Sequence, residues 1–573
     1  MPDTRTLPIA AAHREFTVKA GGQPVPREHQ LASVSISLAA NRIASARLAY
    51  VDGVAATGAF ALSDSDLFKP GQRVEISAGA GRDQAVLFVG VVVRHGLKAS
   101  ERAAPQLVID CRHAASKLTV TPRSSSHFDA TDSDIIEAVL GAAGLQGEIE
   151  ATTAKHPQVL QYDATDWDFL LARARANGQL VWCEGEKIVV RKPALAGAPV
   201  CTLNYGATLL DFEAEIDARK QVDGIHGIAW DPAQQALIDL EGAAPMLAAP
   251  GNLGSDELAA VAGRRLDLRH AALSEPEAQA WADGNGLYRR LDQVSGRGKC
   301  IGIGSVRPGV VVELAGLGQR FNGQVFVTAA RHEFSLVQGW RTHVQFGGVL
   351  DAPAKPTPAS LLPAVSGLQV GIVSSNEDPD GEHRVRVRLP LLGLADDGLW
   401  ARVASLDAGD DRGFFFRPEI GDEVVVGFFG EDPRHPVILG MLHSSAKAAP
   451  LAGSDDNHEK LYKSRSGMRL HFDDEKTVLT LDTPAGNAIV LDEDKKSLTL
   501  ADQHGNKIVL DADGIRLESG KAIAAKAGTE LGLESGTGFS AKGGTELKLE
   551  GGTQAELSSA ATTAVKGGIV QIN

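Results

Sequence analysis

Apolar positions in the first 350 residues fall mainly in short β-branched runs bounded by turn residues, the pattern of strands. Val74-Glu75-Ile76, Ala85 to Val93, Leu107-Val108-Ile109 and Lys187 to Val190 are examples. Helical spacing interrupts them at three places. Thr131-Asp132-Ser133-Asp134 can cap the run IIEAVLGAAGL, with Gly144 near its end. Asp166-Trp167-Asp168 opens FLLARARANG, closed by Gly178, and a third helix is predicted from Gly254 to Leu268. Two small β-barrel-like domains with inserted helices, spanning residues 1–350, account for this region.

Prolines 353, 356, 358 and 363 then mark residues 351–366 as a stiff linker, because proline fixes φ and removes a donor. Beyond it, residues 367–445 contain GLQVGIVSS, HRVRVRLP, GLWARVAS, GFFFRPEIGDEVVVGFF and HPVILGML, joined by Asp-Gly and Gly-Asp turns. Such a series predicts a small closed barrel of five strands. Alternation from Arg384 to Leu389 places Val385, Val387 and Leu389 inside and the arginines on a solvated face. Residues 446–466 read as a second linker.

The remaining segment, 467–573, is repetitive. Gly467, Gly486 and Gly505 are spaced by 19 residues, and from Ala512 the period becomes eight. Apolar or small residues recur at octad positions four and six: Ile515 and Leu517, Ile523 and Ala525, Leu531 and Leu533, Phe539 and Ala541, Leu547 and Leu549, Ala555 and Leu557, with Val565 in the last unit. Side chains two apart on a strand share a face. One such strand buries two residues in eight and leaves both edges bare, so alone it is unstable and sticky. Three chains wound about one axis pair the edges and let each apolar pair meet its copies. The octads therefore predict an intertwined trimeric β-helix with Ile515, Leu517, Ile523, Leu531, Leu533, Phe539, Leu547, Leu549, Leu557 and Val565 in its core. A disordered tail would not hold an eight-residue phase over seven units.

Composition narrows the function. The 573 residues exceed what one core supports, and 57 basic against 72 acidic residues leave a charge of −15. Nucleic acid is excluded as the main partner, since duplex binding needs a basic surface. The apolar run Ala85–Val93 is too short to span a membrane as a helix, and the N-terminus lacks a secretory signal. Four scattered cysteines, Cys111, Cys183, Cys201 and Cys300, have no CxxC spacing, so neither a thiolate zinc site nor a disulfide scaffold is expected.

Catalytic patterns fail one by one. There is no GxSxG or P-loop, and Gln84 stands where a GxGxxG starting at Gly79 needs its third glycine. His332-Glu333 and His458-Glu459 lack the second histidine of a zincin helix. Asp378-Pro379-Asp380-Gly381 lacks the distal glutamate of a calcium loop and reads as a turn. Asp473-Asp474-Glu475 reads as a solvated turn tip, and His226, His435 and His443 as isolated histidines. Only 23 residues separate His443 from Gly467, too few for a hydrolase between barrel and repeats. The expectation is a protein with no enzymatic activity, catalytic residue, cofactor or metal. A trimeric adhesin would require a globular head, and none follows the octads.

The order of barrel-rich region, small barrel and octads resembles the spikes of contractile injection machines, the valine-glycine repeat protein G (VgrG) family and phage hub-spike proteins. RVRVRLP with GFFFRPEIGDEVVVGFFGEDPRHPVILGML is similar to the family's oligonucleotide/oligosaccharide-binding (OB) barrel. YDATDWDFLLARARANGQLVW resembles a hub pattern, and GGIVQIN the family's spike ending. FALSDSDLFKPGQRVEIS is more similar to spikes of extracellular, phage-tail-like particles than to type VI secretion spikes, whose usual opening motif is absent. The resemblance implies a mainly β fold with minor α, in which a homotrimeric hub joins a hexameric inner tube and baseplate components to the needle. It further implies assembly in the bacterial cytoplasm, release or delivery on firing, transient contact with a target membrane, and possible effector cargo. Ile569, Val570 and Ile572, where the octad register breaks, are expected to dock a cap resembling the proline-alanine-alanine-arginine (PAAR) repeat proteins.

Overall fold

The computed structural model describes residues 15–572 apart from 81–82, 102, 196, 232–233, 235, 271–272, 350–360 and 393–397. It divides into two compact units, residues 1–443 and 444–573.

In the first unit the two expected barrel-like halves are fused into one 13-stranded sheet. The seam is the antiparallel pair Leu31–Ala39 and Gly323–Ser335, running from Ala39 opposite Ala329 to Ser33 opposite Ser335. Each half thereby covers an edge that would otherwise be bare. Each keeps its own core, one around Ile36, Leu48, Ile76 and Ile109, the other around Val312, Val327, Val344 and Phe346.

Helix α1 (Asp132–Ala142) starts at a capping box in which Thr131 and Asp134 each bond the other's backbone N–H. Helix α2 (Asp166–Ala176) is capped by the Thr165 side chain, and Gly178 follows with φ 71°, a left-handed conformation suited to glycine. Helix α3 is shorter than the expected Gly254–Leu268, covering Ser255–Ala262, because Gly263 (φ 54°) ends it and Leu266–His270 becomes a strand. Helix α4 (Glu275–Leu291) is the longest among the described residues, and its signal was present in the sequence: Ser274 and Glu277 form a capping box, with Pro276 in the first turn.

The five expected strands of the small barrel close as Gln369–Ser375, Val385–Arg388, Leu399–Val403, Pro436–Met441 and Glu423–Phe428. Val373, Val385, Val387, Val424, Val426 and Ile438 fill it. Arg384 does face outward, clamped by Asp378 at 2.8 Å, while Arg386 lies 5.6 Å from the Trp400 ring centre. The Asp378 turn is therefore held by an arginine.

Part of the proline-rich linker belongs to the core. Prolines 353, 356 and 358 lie outside the described residues, but Leu361 and Leu362 are buried against α2, α4 and the Phe169 cluster. Sequence alone hides this, because Trp281 lies 80 positions from Leu361 and Phe169 lies 193 from Leu362.

In the second unit, seven strands form an antiparallel meander from Glu459 to Glu518. It begins inside the expected second linker, since Glu459–Lys463 pairs with Arg469–Asp473. Each 19-residue repeat is two strands and two turns. After Gly520 the described residues form no strand ladder within the chain, and all are exposed. The octads as strands thus remain an expectation about several chains, because a ladder needs a neighbour.

Candidate assembly face and buried ion network

The meander sorts its side chains by face. Leu470, Leu481, Ile489, Leu500, Ile508 and Leu517 stand opposite one another in one cross-strand row. Phe472, Leu479, Leu491, Leu498, Leu510 and Ile515 form a second row two residues away, hence on the same face. The other face carries His471, Thr480, Val490, Thr499, Val509 and Arg516. Both apolar rows remain substantially open: Leu500 in the first is 38% exposed and Leu491 in the second 45%. An open groove on this face is lined by Leu481, Ile489, Leu500, Ile508, Leu517 and Ile523. Contiguous apolar surface on this scale is seldom left to water.

The residues expected at the needle core fall into two groups. Ile515 and Leu517 sit on the last strand and extend the two rows, and Ile523 borders the same groove. Leu531, Leu533, Phe539, Leu547, Leu549, Leu557 and Val565 are exposed on the chain that follows, as are Ile569, Val570 and Ile572. The rows between Leu470 and Leu510 escaped the sequence reading, although the alternation in AIVLD, SLTLA and KIVLD carried the signal.

A second constellation, in the first unit, fastens the small barrel to the hub. Arg173 on α2, 1% exposed, grips Asp132 at the start of α1 through Nε (2.6 Å) and Nη2 (2.9 Å). Its Nη1 donates to the Leu361 carbonyl, which anchors the end of the proline-rich segment. Asn177 adds a bond to Asp132. His156 lies between two carboxylates, with Nε2 3.2 Å from Asp132 and Nδ1 3.1 Å from Glu277 of α4. Arg434, from the turn before the last barrel strand, pairs with Glu277 and with Asp432 at 2.8 Å.

The electrostatics are consistent with this chain of partners. Burial alone would raise Asp132, Glu277 and Asp432, but the guanidiniums of Arg173 and Arg434 and the neighbouring imidazoles hold all three well below the usual carboxylate range. Burial opposes a charge on His156, yet hydrogen bonds to Asp132 and Glu277 outweigh it and raise its pKa, despite Arg173 beside the ring. A charged His156 balances three carboxylates against two guanidiniums. Such a network is a lock more than a source of stability, because desolvation offsets much of the attraction.

Two of the histidines read as isolated, His226 and His435, have polar neighbours. His226 bonds Asp239 at 2.6 Å on an exposed sheet, and His332 is fully buried between Thr342 and the Val306 carbonyl. His435, however, is not alone: it shares a cluster with His270 and Asp432. His270 lies more than 160 positions from Asp432 and His435, which are themselves three apart, so spacing gave no signal for the full set.

Comparison with known proteins places this architecture. The Alg8 N-terminal domain model matches residues 10–335, more than half of the chain, and the type VI secretion system/phage-baseplate injector OB domain matches residues 369–443. The type VI secretion system spike protein VgrG1b of Pseudomonas aeruginosa is 24% identical over 393 residues, 60% of this chain and 50% of that protein. VgrG5 of the same organism is 31% identical over 137 residues, 22% of this chain and 17% of that protein. The chain thus spans half or less of the length of these curated relatives. Among solved structures, the Francisella PdpA-VgrG complex in its lidded form aligns with TM-score 0.51 and 9% identity, covering 90% of this chain and 81% of that one, which bears on fold alone. With a fused double-core hub, a closed five-stranded barrel and a repetitive C-terminal unit, the chain belongs to the Alg8 N-terminal domain family and is built as a VgrG-like hub-spike.

Proposed function

We propose that this protein is the structural spike and hub at the tip of a contractile injection machine, joining the inner tube to a membrane-puncturing trimeric needle. The observation that carries the reading is the two-row apolar face of the meander, open in a single chain and continued by the octad pairs. Three copies that turn these faces inward bury twelve apolar residues per chain between Leu470 and Leu517 and provide neighbours for the octad edges. Rigidity follows, since interchain ladders cannot break one bond at a time. The hub, its two cores fused and its barrel locked by Arg434 and Glu277, suits a part that transmits thrust without bending. The role is mechanical and not enzymatic; the inner tube, baseplate and cargo are its partners, and a PAAR-like cap docks on Ile569, Val570 and Ile572, which are exposed.

Light scattering of the full chain tests the reading: the mass is expected near three times 60.2 kDa, and a monomer at micromolar concentration overturns it. Two settings are open to such a spike. The segment FALSDSDLFKPGQRVEIS favours an extracellular phage-tail-like particle, whereas the named relatives are type VI spikes. Negative-stain images of lysate separate free sheathed particles from membrane-bound tubes.

A further inference from the structure

The cluster beside the hub–barrel lock has a chemistry that the spike role does not use. His270 ends the strand Leu266–His270, while Asp432 and His435 lie in the turn before Pro436–Met441. One donor atom from each falls within 4.8 Å of the other two. The site is enclosed: the His270 side chain is 4% exposed and Asp432 1%. His270 Nε2 lies 3.0 Å from Asp432 Oδ2, and the two imidazole rings are 5.7 Å apart between centres. The edge of Trp281 sets the plane of His270 at 90°.

His435 is the informative member. Its Nε2 is buried and has no hydrogen-bond partner among the described residues. A buried imidazole nitrogen left unpaired carries a desolvation cost that native proteins usually avoid. Asp432 is held by Arg434 through Nε (3.1 Å) and Nη2 (2.8 Å). That grip, to which the Arg434 backbone N–H adds a bond to Oδ1 (2.8 Å), orients the carboxylate, the role a supporting residue plays around many metal sites.

We propose that His270, Asp432 and His435 form a binding site for a zinc-class divalent ion that pins the small barrel to the hub. Two imidazoles and one carboxylate suit zinc and its neighbours in the first transition row, and they do not suit magnesium or calcium, which prefer all-oxygen shells. Three protein ligands leave a fourth position for water. Arg434 opposes the incoming cation, but Glu277 neutralises the guanidinium from its other side. The site therefore adds a coordinate link where barrel and hub already meet within the first unit.

The test uses the purified full chain, stripped with chelator and titrated with zinc chloride, with magnesium chloride as control. His435→Ala and His270→Ala are compared with wild type, and His226→Ala serves as a surface-histidine control. Cobalt(II) replaces zinc for a visible spectrum. Expected results are one high-affinity zinc per chain, a cobalt spectrum of tetrahedral type, and a zinc-dependent rise in unfolding temperature. Each should be lost, or affinity weakened at least tenfold, in His435→Ala and His270→Ala, and retained in His226→Ala. If His270→Ala misfolds, His435→Ala decides, because circular dichroism checks its fold independently. Wild type without zinc binding, or binding undiminished by His435→Ala, overturns the proposal.

Discussion

Replacing Leu500 with aspartate tests the direction in which the meander faces. Leu500 lies in the first apolar row, between Ile489 and Ile508, and 38% of it remains exposed in one chain. Taking a leucine at roughly 180 Å², about 70 Å² is left to bury on assembly, about 1.7 kcal/mol at ~25 cal/mol per Å². Three copies lose about 5 kcal/mol, between three and four powers of ten in the association constant. Three carboxylates brought into one apolar layer add several kcal/mol each unless they take up protons. Thr499→Asp changes the adjacent residue, which points to the opposite face. Light scattering across a dilution series should show Leu500→Asp dissociating at concentrations where wild type and Thr499→Asp remain assembled. Circular dichroism of the hub should be unchanged in both. Equal effects from the two changes would refute the facing assignment, and no effect from Leu500→Asp would refute assembly through this face.

In the octads, Leu547→Asp should lower the resistance of the assembly to SDS, whereas Lys548→Asp, one residue away, should do little; equal losses reverse the assignment there. Arg173→Met leaves Asp132 buried without its main cation and should destabilise the first unit by about 3–5 kcal/mol in urea unfolding; a loss below about 1 kcal/mol would show that Asn177 and His156 suffice. The raised pKa of His156 makes its contribution fully present below the ordinary histidine range and lost as pH rises through its folded value. The stability gap between wild type and His156→Gln should therefore widen from pH 8 to pH 6, and a gap that narrows contradicts a charged ring. Deleting residues 568–573 should leave the oligomer intact while abolishing co-purification of a tip protein; a full yield of that protein on the truncated spike places its docking surface elsewhere.

Local physics made much of this chain legible in its residues. The caps at Thr131 and Thr165 sit next to the helices they start, and RVRVRL alternates over a distance shorter than one strand. Octad phase is likewise a property of neighbours in sequence, so the strand count of the small barrel and the apolar pairs of the repeats could be read directly. Helix α4 was missed although Ser274, Pro276 and Glu277 announced it, an oversight of reading and not of information. Other features belong to the tertiary structure alone. The sheet seam joins Leu31–Ala39 to Gly323–Ser335, across nearly three hundred residues, and either strand would pattern the same way against another partner. The ion network gathers Asp132, His156, Arg173, Glu277 and Arg434 from positions spread over some three hundred residues of the first unit. An isolated arginine or histidine in a sequence reads as solvated surface, and only enclosure in a low-dielectric junction turns such residues into a lock or a set of metal ligands. The octads mark the limit from the other side: their phase shows in one chain, but the ladder that makes them a needle needs copies that one chain does not contain.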